Sequence, residues 1–98
     1  MVQLTQTEHF SRWLSRLKDI RAKARILTRL EDVRLGHFGD YKSLKGGLFE
    51  LRTHVGKGYR VYFTRKRKLV ILLLFAGTKS SQSRDIQHAR SLLSELRL

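Results

Sequence analysis

The sequence predicts an α+β domain in which helices pack on one face of a small, mainly antiparallel sheet. Three patterns carry that expectation. Apolar residues recur with helical spacing in the first third and again in the tail. They alternate with polar residues through the centre. The 7 glycines (Gly36, Gly39, Gly46, Gly47, Gly56, Gly58 and Gly77) fall only in the stretch between the two helical regions. The 98 residues contain no proline, no internal repeat and no low-complexity run. That length supports one hydrophobic core, so 1–98 reads as a single domain.

Val2 and Leu4 suggest a short opening strand within Met1–Leu4. Thr5 and Glu8 stand at capping-box spacing, which places a helix start there. Phe10, Trp13, Leu14 and Leu17 then form one apolar stripe, with Phe10 and Trp13 expected in the core. Asp19 can cap a second helix whose apolar side is read as Ile20, Ala24, Leu27, Leu30 and Val33. Arg21, Arg25 and Arg29 stack on its other side, as a solvated face or a contact for an acidic partner. Gly36 stands where a helix-terminating glycine belongs. From Leu48 to Val55 the period becomes two: Phe49, Leu51, Thr53 and Val55 face one way, Leu48, Glu50, Arg52 and His54 the other. Gly56-Lys57-Gly58 is a turn, after which Tyr59, Val61 and Phe63 alternate with Arg60, Tyr62 and Thr64. Arg65-Lys66-Arg67-Lys68 reads as a second, charged turn. Leu69–Phe75 is apolar throughout, as in a central strand covered on both faces. Ile86, Ala89, Leu93 and Leu96 restore helical spacing, with Ser80, Ser81 or Ser83 as the cap.

Charge narrows the function. Lys and Arg number 21 against 8 Asp and Glu, a formal net charge of +13. Residues 41–79 hold ten of the basic side chains and one acid, Glu50, so the positive field belongs to the sheet and its turns. Solubility requires neither that imbalance nor that localisation. A polyanion, either nucleic acid or an acidic protein, fits both. With no cysteine, disulfides, thiolate zinc sites and cysteine nucleophiles are excluded. The 4 histidines are scattered without metal-ligand spacing, and there is no P-loop, dinucleotide fingerprint or nucleophile elbow. No metal or other cofactor is therefore expected. The opening MVQLTQTEHF lacks the apolar core of a signal peptide, and the apolar run Leu69–Ala76 falls far short of the roughly 20 residues that span a bilayer. A cytoplasmic domain with no membrane role is expected.

If the alternation holds, Arg52, His54, Arg60 and Tyr62 share the open sheet face, with His54 near Arg60 across the hairpin. Such a set suits phosphodiester cleavage by a ribose 2′-hydroxyl. A base removes its proton, an acid protonates the leaving oxygen, and guanidinium groups stabilise the added negative charge. His54 is the candidate base or acid, Tyr62 an orienting or proton-donating group, and Arg52 and Arg60 the phosphate ligands. The blander alternatives are a surface histidine for His54 and a packing partner for Tyr62. Lys79, at the start of the last helix, extends the site toward an anion together with Gln82, or is an ordinary loop lysine.

These residues resemble a known family. "RLGHFGDYKSLKGGLFELRTHVGKGYRVYF" followed by "VILLLFAGTKSSQSRDIQHARSLL" is similar to the HigB-type addiction module killer branch of the RelE/ParE toxin superfamily. The resemblance runs from the Phe10–Leu17 helix to the last helix. It implies two N-terminal helices and a C-terminal helix on a small, curved, mainly antiparallel sheet. It also implies a type II toxin that cleaves mRNA at the ribosome, neutralised by a cognate antitoxin, commonly a helix-turn-helix protein of the HigA type. On that resemblance Arg60, in Gly58-Tyr59-Arg60, matches the arginine that contacts the scissile phosphate, and Arg52 and Lys79 match recurrent basic positions. Lys57, Arg65, Lys66, Arg67, Lys68, Gln82 and Arg84 become the expected RNA-binding residues around them. The pattern departs at three places: Glu50 stands where related enzymes carry a strand lysine, Ile86 lies near the place of a tyrosine, and the end Arg97-Leu98 lacks an aromatic. The superfamily also contains gyrase-inhibiting ParE toxins, and a toxin-fold module that binds nucleic acid or antitoxin without activity is a third reading.

Overall fold

The computed structural model describes residues 1–96. The chain runs through β1 (Gln3–Gln6), α1 (Glu8–Arg16), α2 (Ile20–Arg34), β2 (Tyr41–Ser43), β3 (Phe49–Thr53), β4 (Tyr59–Arg67), β5 (Val70–Thr78), a short 3-10 turn (Lys79–Ser81) and α3 (Gln82–Leu96). One sheet takes the order β1-β5-β4-β3-β2, with β1 parallel to β5 and every other pairing antiparallel. Among the described residues no helix is long and apolar enough to cross a membrane.

The helix starts follow local chemistry. Thr7, not Thr5, caps α1: its hydroxyl accepts from the Phe10 amide at 3.1 Å and donates to the Leu74 carbonyl at 2.7 Å. Thr5 instead lies in β1, which extends to Gln6, and its hydroxyl donates to the Ile71 carbonyl at 3.1 Å. Asp19 caps α2 as expected, accepting from the Ala22 amide at 3.0 Å. Gly36 ends that helix with φ +94°, the left-handed conformation that glycine adopts without penalty.

The buried side of α2 differs from the expected one. Ala22, Ile26, Arg29, Leu30 and Val33 face the sheet, whereas Ile20, Ala24 and Leu27 face solvent. The reason is Arg29, which takes a core position because its guanidinium donates to three backbone carbonyls: Phe38 at 2.8 Å, Asp40 at 3.0 Å and Arg52 at 3.2 Å. Burial, together with the nearby Arg25 charge, draws the Arg29 pKa below its ordinary value. Gly39 makes room for the guanidinium, since a Cβ there would stand 2.6 Å from Arg29 Nη1.

Helices cover both faces of the sheet, which corrects the one-face expectation. Helices α1 and α2 enclose Phe10, Ile26 and Val33 with Leu51, Val61, Phe63, Ile71 and Leu73. Helix α3 covers the other face through Ala89, Leu92 and Leu93 on Leu48, Tyr62 and Leu74. The face read as open was apolar enough at Leu48, Tyr62 and Leu74 to require cover. A bulge helps: Tyr62 pairs with Phe75 and Phe63 with Leu73, so Leu74 is the extra residue, and both Leu74 and Phe75 join the α3 side. The charged run is also corrected. Strand β4 continues through Arg67, which pairs with Val70, so the turn is only Lys68-Leu69. The three-residue β2, exposed throughout and without alternation, was not foreseen.

Trp13 is half-buried against this core, its indole meeting the Tyr59 ring edge-on at 6.1 Å. Trp13→Ala is expected to cost about 2 kcal/mol, less than the ~3–5 kcal/mol of a fully enclosed aromatic. Urea melts with an unchanged midpoint would contradict this placement.

Candidate functional site

Arg52 on β3 stands directly opposite Arg60 on β4, and Gly77 on β5 flanks Arg60 on its other side. Two guanidinium groups side by side repel, and the next pair along the strands offsets that repulsion. There Glu50 faces Tyr62 and is fully buried. Its Oε1 accepts from Arg52 Nε at 3.0 Å, and its Oε2 accepts from Gln82 Nε2 at 2.8 Å. One carboxylate thus fixes Arg52 and ties β3 to the first turn of α3. Arg60 is half-buried, and its Nη1 is enclosed with no hydrogen-bond partner among the described residues.

Gly77 is small for a local reason. Asp85, buried in the first turn of α3, presses on it so closely that a Cβ at Gly77 would lie 1.8 Å from Asp85 Oδ2. The same carboxylate accepts from the Ser81 hydroxyl, which in turn accepts from the Thr78 amide at 3.3 Å, so this expected capping serine closes the capping box of the 3-10 turn and also holds Asp85. Lys79 is exposed, and its amide donates to the Gly58 carbonyl at 2.8 Å, which seats it on the Gly56–Gly58 turn beside Lys57. That turn uses φ +54° at Gly56 and φ +75° at Gly58. Arg52, Arg60, Lys57 and Lys79 therefore gather at one end of the β3–β4 hairpin, where α3 begins.

Two expected members are not placed as the alternation predicts. Tyr62 is fully buried under α3, not on an open face, and its hydroxyl faces Glu50 without a well-formed hydrogen bond. Burial first, and then the Glu50 charge, push its pKa far above the ordinary phenol value, so it stays protonated and enclosed. His54 lies beyond the ladder, which ends at Thr53 paired with Tyr59; the partner of Arg60 is Arg52. The imidazole pairs instead with Asp40 in a cleft that Arg25, Arg29, Asp32 and Arg52 also line, so His54 lies on the Arg52 side of the pair and not opposite Arg60. That hydrogen bond is the chief cause of a lowered Asp40 pKa.

The expected RNA-binding residues divide in the same way. Gln82 is engaged with Glu50, whereas Arg84 is exposed on α3. Arg65 lies over the Phe38 and Phe49 rings, 4.9 and 5.6 Å from their centroids. Lys66, Arg67 and Lys68 are exposed at the far end of the β4–β5 hairpin, roughly 20 Å along the strand from Arg60. Arg97-Leu98 lies outside the described residues. Among those residues no three His, Cys, Asp or Glu side chains gather as a metal site. The sequence reading missed Arg29, Asp85 and the clamping role of Glu50; the one signal was Glu50 itself, a lone acid among ten basic residues in 41–79.

The family model described as "Phage derived protein Gp49-like (DUF891)" matches residues 12–94. The chain belongs to this Gp49-like family. Another similar protein is an uncharacterized protein of Haemophilus influenzae, 45% identical over 99% of this chain and 98% of its own length. Solved structures extend the comparison to the fold. A chain of the intact E. coli RelBE toxin–antitoxin complex aligns with TM-score 0.53 and 18% identity, covering 80% of this chain and 96% of that one. An arginine-substituted mutant of E. coli toxin RelE in the free state aligns with TM-score 0.59 and 16% identity over 98% of both chains. This Gp49-like protein thus has a RelE-like α+β fold: a five-stranded, mostly antiparallel open sheet with three helices.

Proposed function

We propose that this Gp49-like protein is the toxin of a toxin–antitoxin pair, of the HigB type, and that it cleaves mRNA on the ribosome in the cytoplasm. The observation that carries the reading is the opposed Arg52–Arg60 pair, with Lys79 beside it, at the hairpin end of a RelE-like sheet. Two guanidinium groups can each hold non-bridging phosphate oxygens and stabilise the charge added when a ribose 2′-oxygen attacks its own phosphorus. The P–O5′ bond breaks as the new P–O2′ bond forms. The 2′-proton passes to water, and the Lys79 ammonium supplies a proton to the leaving 5′-oxygen. Lys57 and Arg84 guide the strand near the pair, and Lys66, Arg67 and Lys68 attract RNA at a distance. The antitoxin is an acidic counterpart to this surface, a helix-turn-helix protein of the HigA type.

Expression without an antitoxin is expected to arrest growth, with translation falling before DNA synthesis. Primer extension on ribosome-bound message should show cuts within codons. If DNA synthesis stops first and gyrase-linked breaks accumulate, the ParE-like reading replaces the nuclease.

A further inference from the structure

One solvent-facing side of α1 carries basic and aromatic residues together. His9, Arg12, Trp13, Arg16 and Leu17 are spaced i, i+3, i+4, i+7 and i+8 and share one side of the helix. That side borders an open cleft of about 340 Å³, with Phe75 as its other wall. The cleft runs along β5 where no strand covers the edge, because β1 pairs with β5 only as far as Leu73. At one end His88 of α3 stacks on Phe75 with ring centroids 4.2 Å apart, and His9 closes against both at 5.6 and 6.5 Å. At the other end Trp13 meets Tyr59, the residue before Arg60. Arg12, Arg16 and Lys18 supply the charge, and Glu8, paired with Arg12, is the acid on this helix that offsets it.

We infer that this cleft is a stacking subsite for one unpaired base of the RNA strand that the Arg52–Arg60 pair cleaves, an inference that rests on the nuclease reading above. Cations beside aromatic rings are the chemistry of single-strand binding, where the phosphates meet the charges and the bases stack on the rings; here Trp13 and Phe75 are half-buried and each line the cleft with the part left uncovered. An acidic peptide would use Arg12, Arg16 and Lys18 but leave the uncovered parts of the Trp13 and Phe75 rings without a matching surface. The cleft is at the small end of ligand-sized sites, suited to a single base rather than to a helix. Phe75, on the α3 side of the sheet, stands two residues before Gly77, the β5 partner of Arg60, so a base held here belongs to a nucleotide near the scissile phosphate.

Trp13 is the 1 tryptophan of the chain, so its fluorescence reports on the cleft directly. The probe is 2′-O-methyl hexa-adenylate, which cannot be cut because its 2′-oxygens are blocked. Its controls are an abasic oligomer of equal phosphate number and polyglutamate. The hexamer is expected to quench Trp13 and to bind about tenfold tighter than the abasic oligomer, the order of one stacked base. Arg12→Glu combined with Arg16→Glu, both on exposed positions, should remove the quench with the circular dichroism spectrum unchanged. Phe75→Leu, which keeps apolar volume but removes the ring, should bring hexamer affinity down to that of the abasic oligomer. Absence of quenching in a preparation that still cuts ribosome-bound mRNA would overturn the subsite and leave the nuclease reading intact. Quenching by the hexamer in a preparation that cuts no message would support a base-binding cleft and sink the nuclease. Quenching by polyglutamate but not by the hexamer would overturn the subsite in favour of an acidic protein partner.

Discussion

Arg60→Ala is expected to abolish toxicity and to lower the rate of mRNA cleavage by about 10²–10³-fold, the loss typical of removing one donor to a developing charge. The domain should remain folded. The side chain is half-buried, but its enclosed Nη1 has no partner among the described residues, so truncation removes an unsatisfied donor instead of orphaning a neighbour. Neutralising Lys66 and Arg67 is the comparison. They are exposed at the far end of the β4–β5 hairpin, so their loss should weaken RNA binding and flatten its salt dependence by about 0.7 in log–log slope for each single-strand phosphate contact. Cleavage at saturating protein should then survive in the Lys66/Arg67 variant and fail in Arg60→Ala, because only Arg60 acts on the transition state. Primer extension on ribosome-bound message reads both. Full activity in Arg60→Ala would remove the proposed site, and equal loss at saturation in both variants would remove the division of roles.

Glu50→Ala is expected to destabilise the domain by about 3 kcal/mol, a large part of the ~5–15 kcal/mol that holds a domain of this size together. Its carboxylate is fully buried and receives hydrogen bonds from Arg52 and Gln82. Removing it leaves two donors and a cavity, and frees α3 from β3 at this point. The Arg52 side chain is 28% exposed and can turn partly toward water, which keeps the loss at the lower end of the ~3–5 kcal/mol seen when a buried ion pair is broken. Glu50→Gln, which keeps the shape and an acceptor oxygen, should lose less. The urea midpoint measures both. A midpoint for Glu50→Ala equal to that of the unaltered chain would show that Glu50 does not hold α3 to the sheet.

The fold was legible wherever one physical rule governed a segment. The alternation of Tyr59–Phe63, the apolar run that became β5 and the Asp19 cap each depend on near neighbours, and each was read correctly. The errors arose where distant residues decide. Arg29 looks like a solvated arginine until carbonyls from residues 38, 40 and 52 converge on it. Tyr62 looks like an open-face tyrosine until α3 lies over it, and no pattern within β4 announces that helix. The site follows the same division. Arg52 and Arg60 follow from alternation and one turn, whereas the departure of His54 follows from a ladder that stops at Thr53, two residues before the sequence alternation ends at Val55. The second carboxylate, Asp85, became visible only through the space left at Gly77.

The parallel pairing of β1 with β5 also bears on how the chain acquires its fold. Residues 3–6 find their partners at 70–73, so the sheet cannot close until residue 73 has been made. Contacts of such long sequence separation slow folding, because loop closure must precede any gain from pairing. Helices α1 and α2 form from local interactions, but Phe10 and Ile26 have no sheet to pack on until β4 and β5 arrive. The Arg52–Arg60 pair needs only the β3–β4 hairpin, yet Glu50 and Gln82 lock it in place last, when α3 docks. A nascent chain emerging from the ribosome therefore holds the Arg52–Arg60 pair unlocked until residues 82–96 have followed.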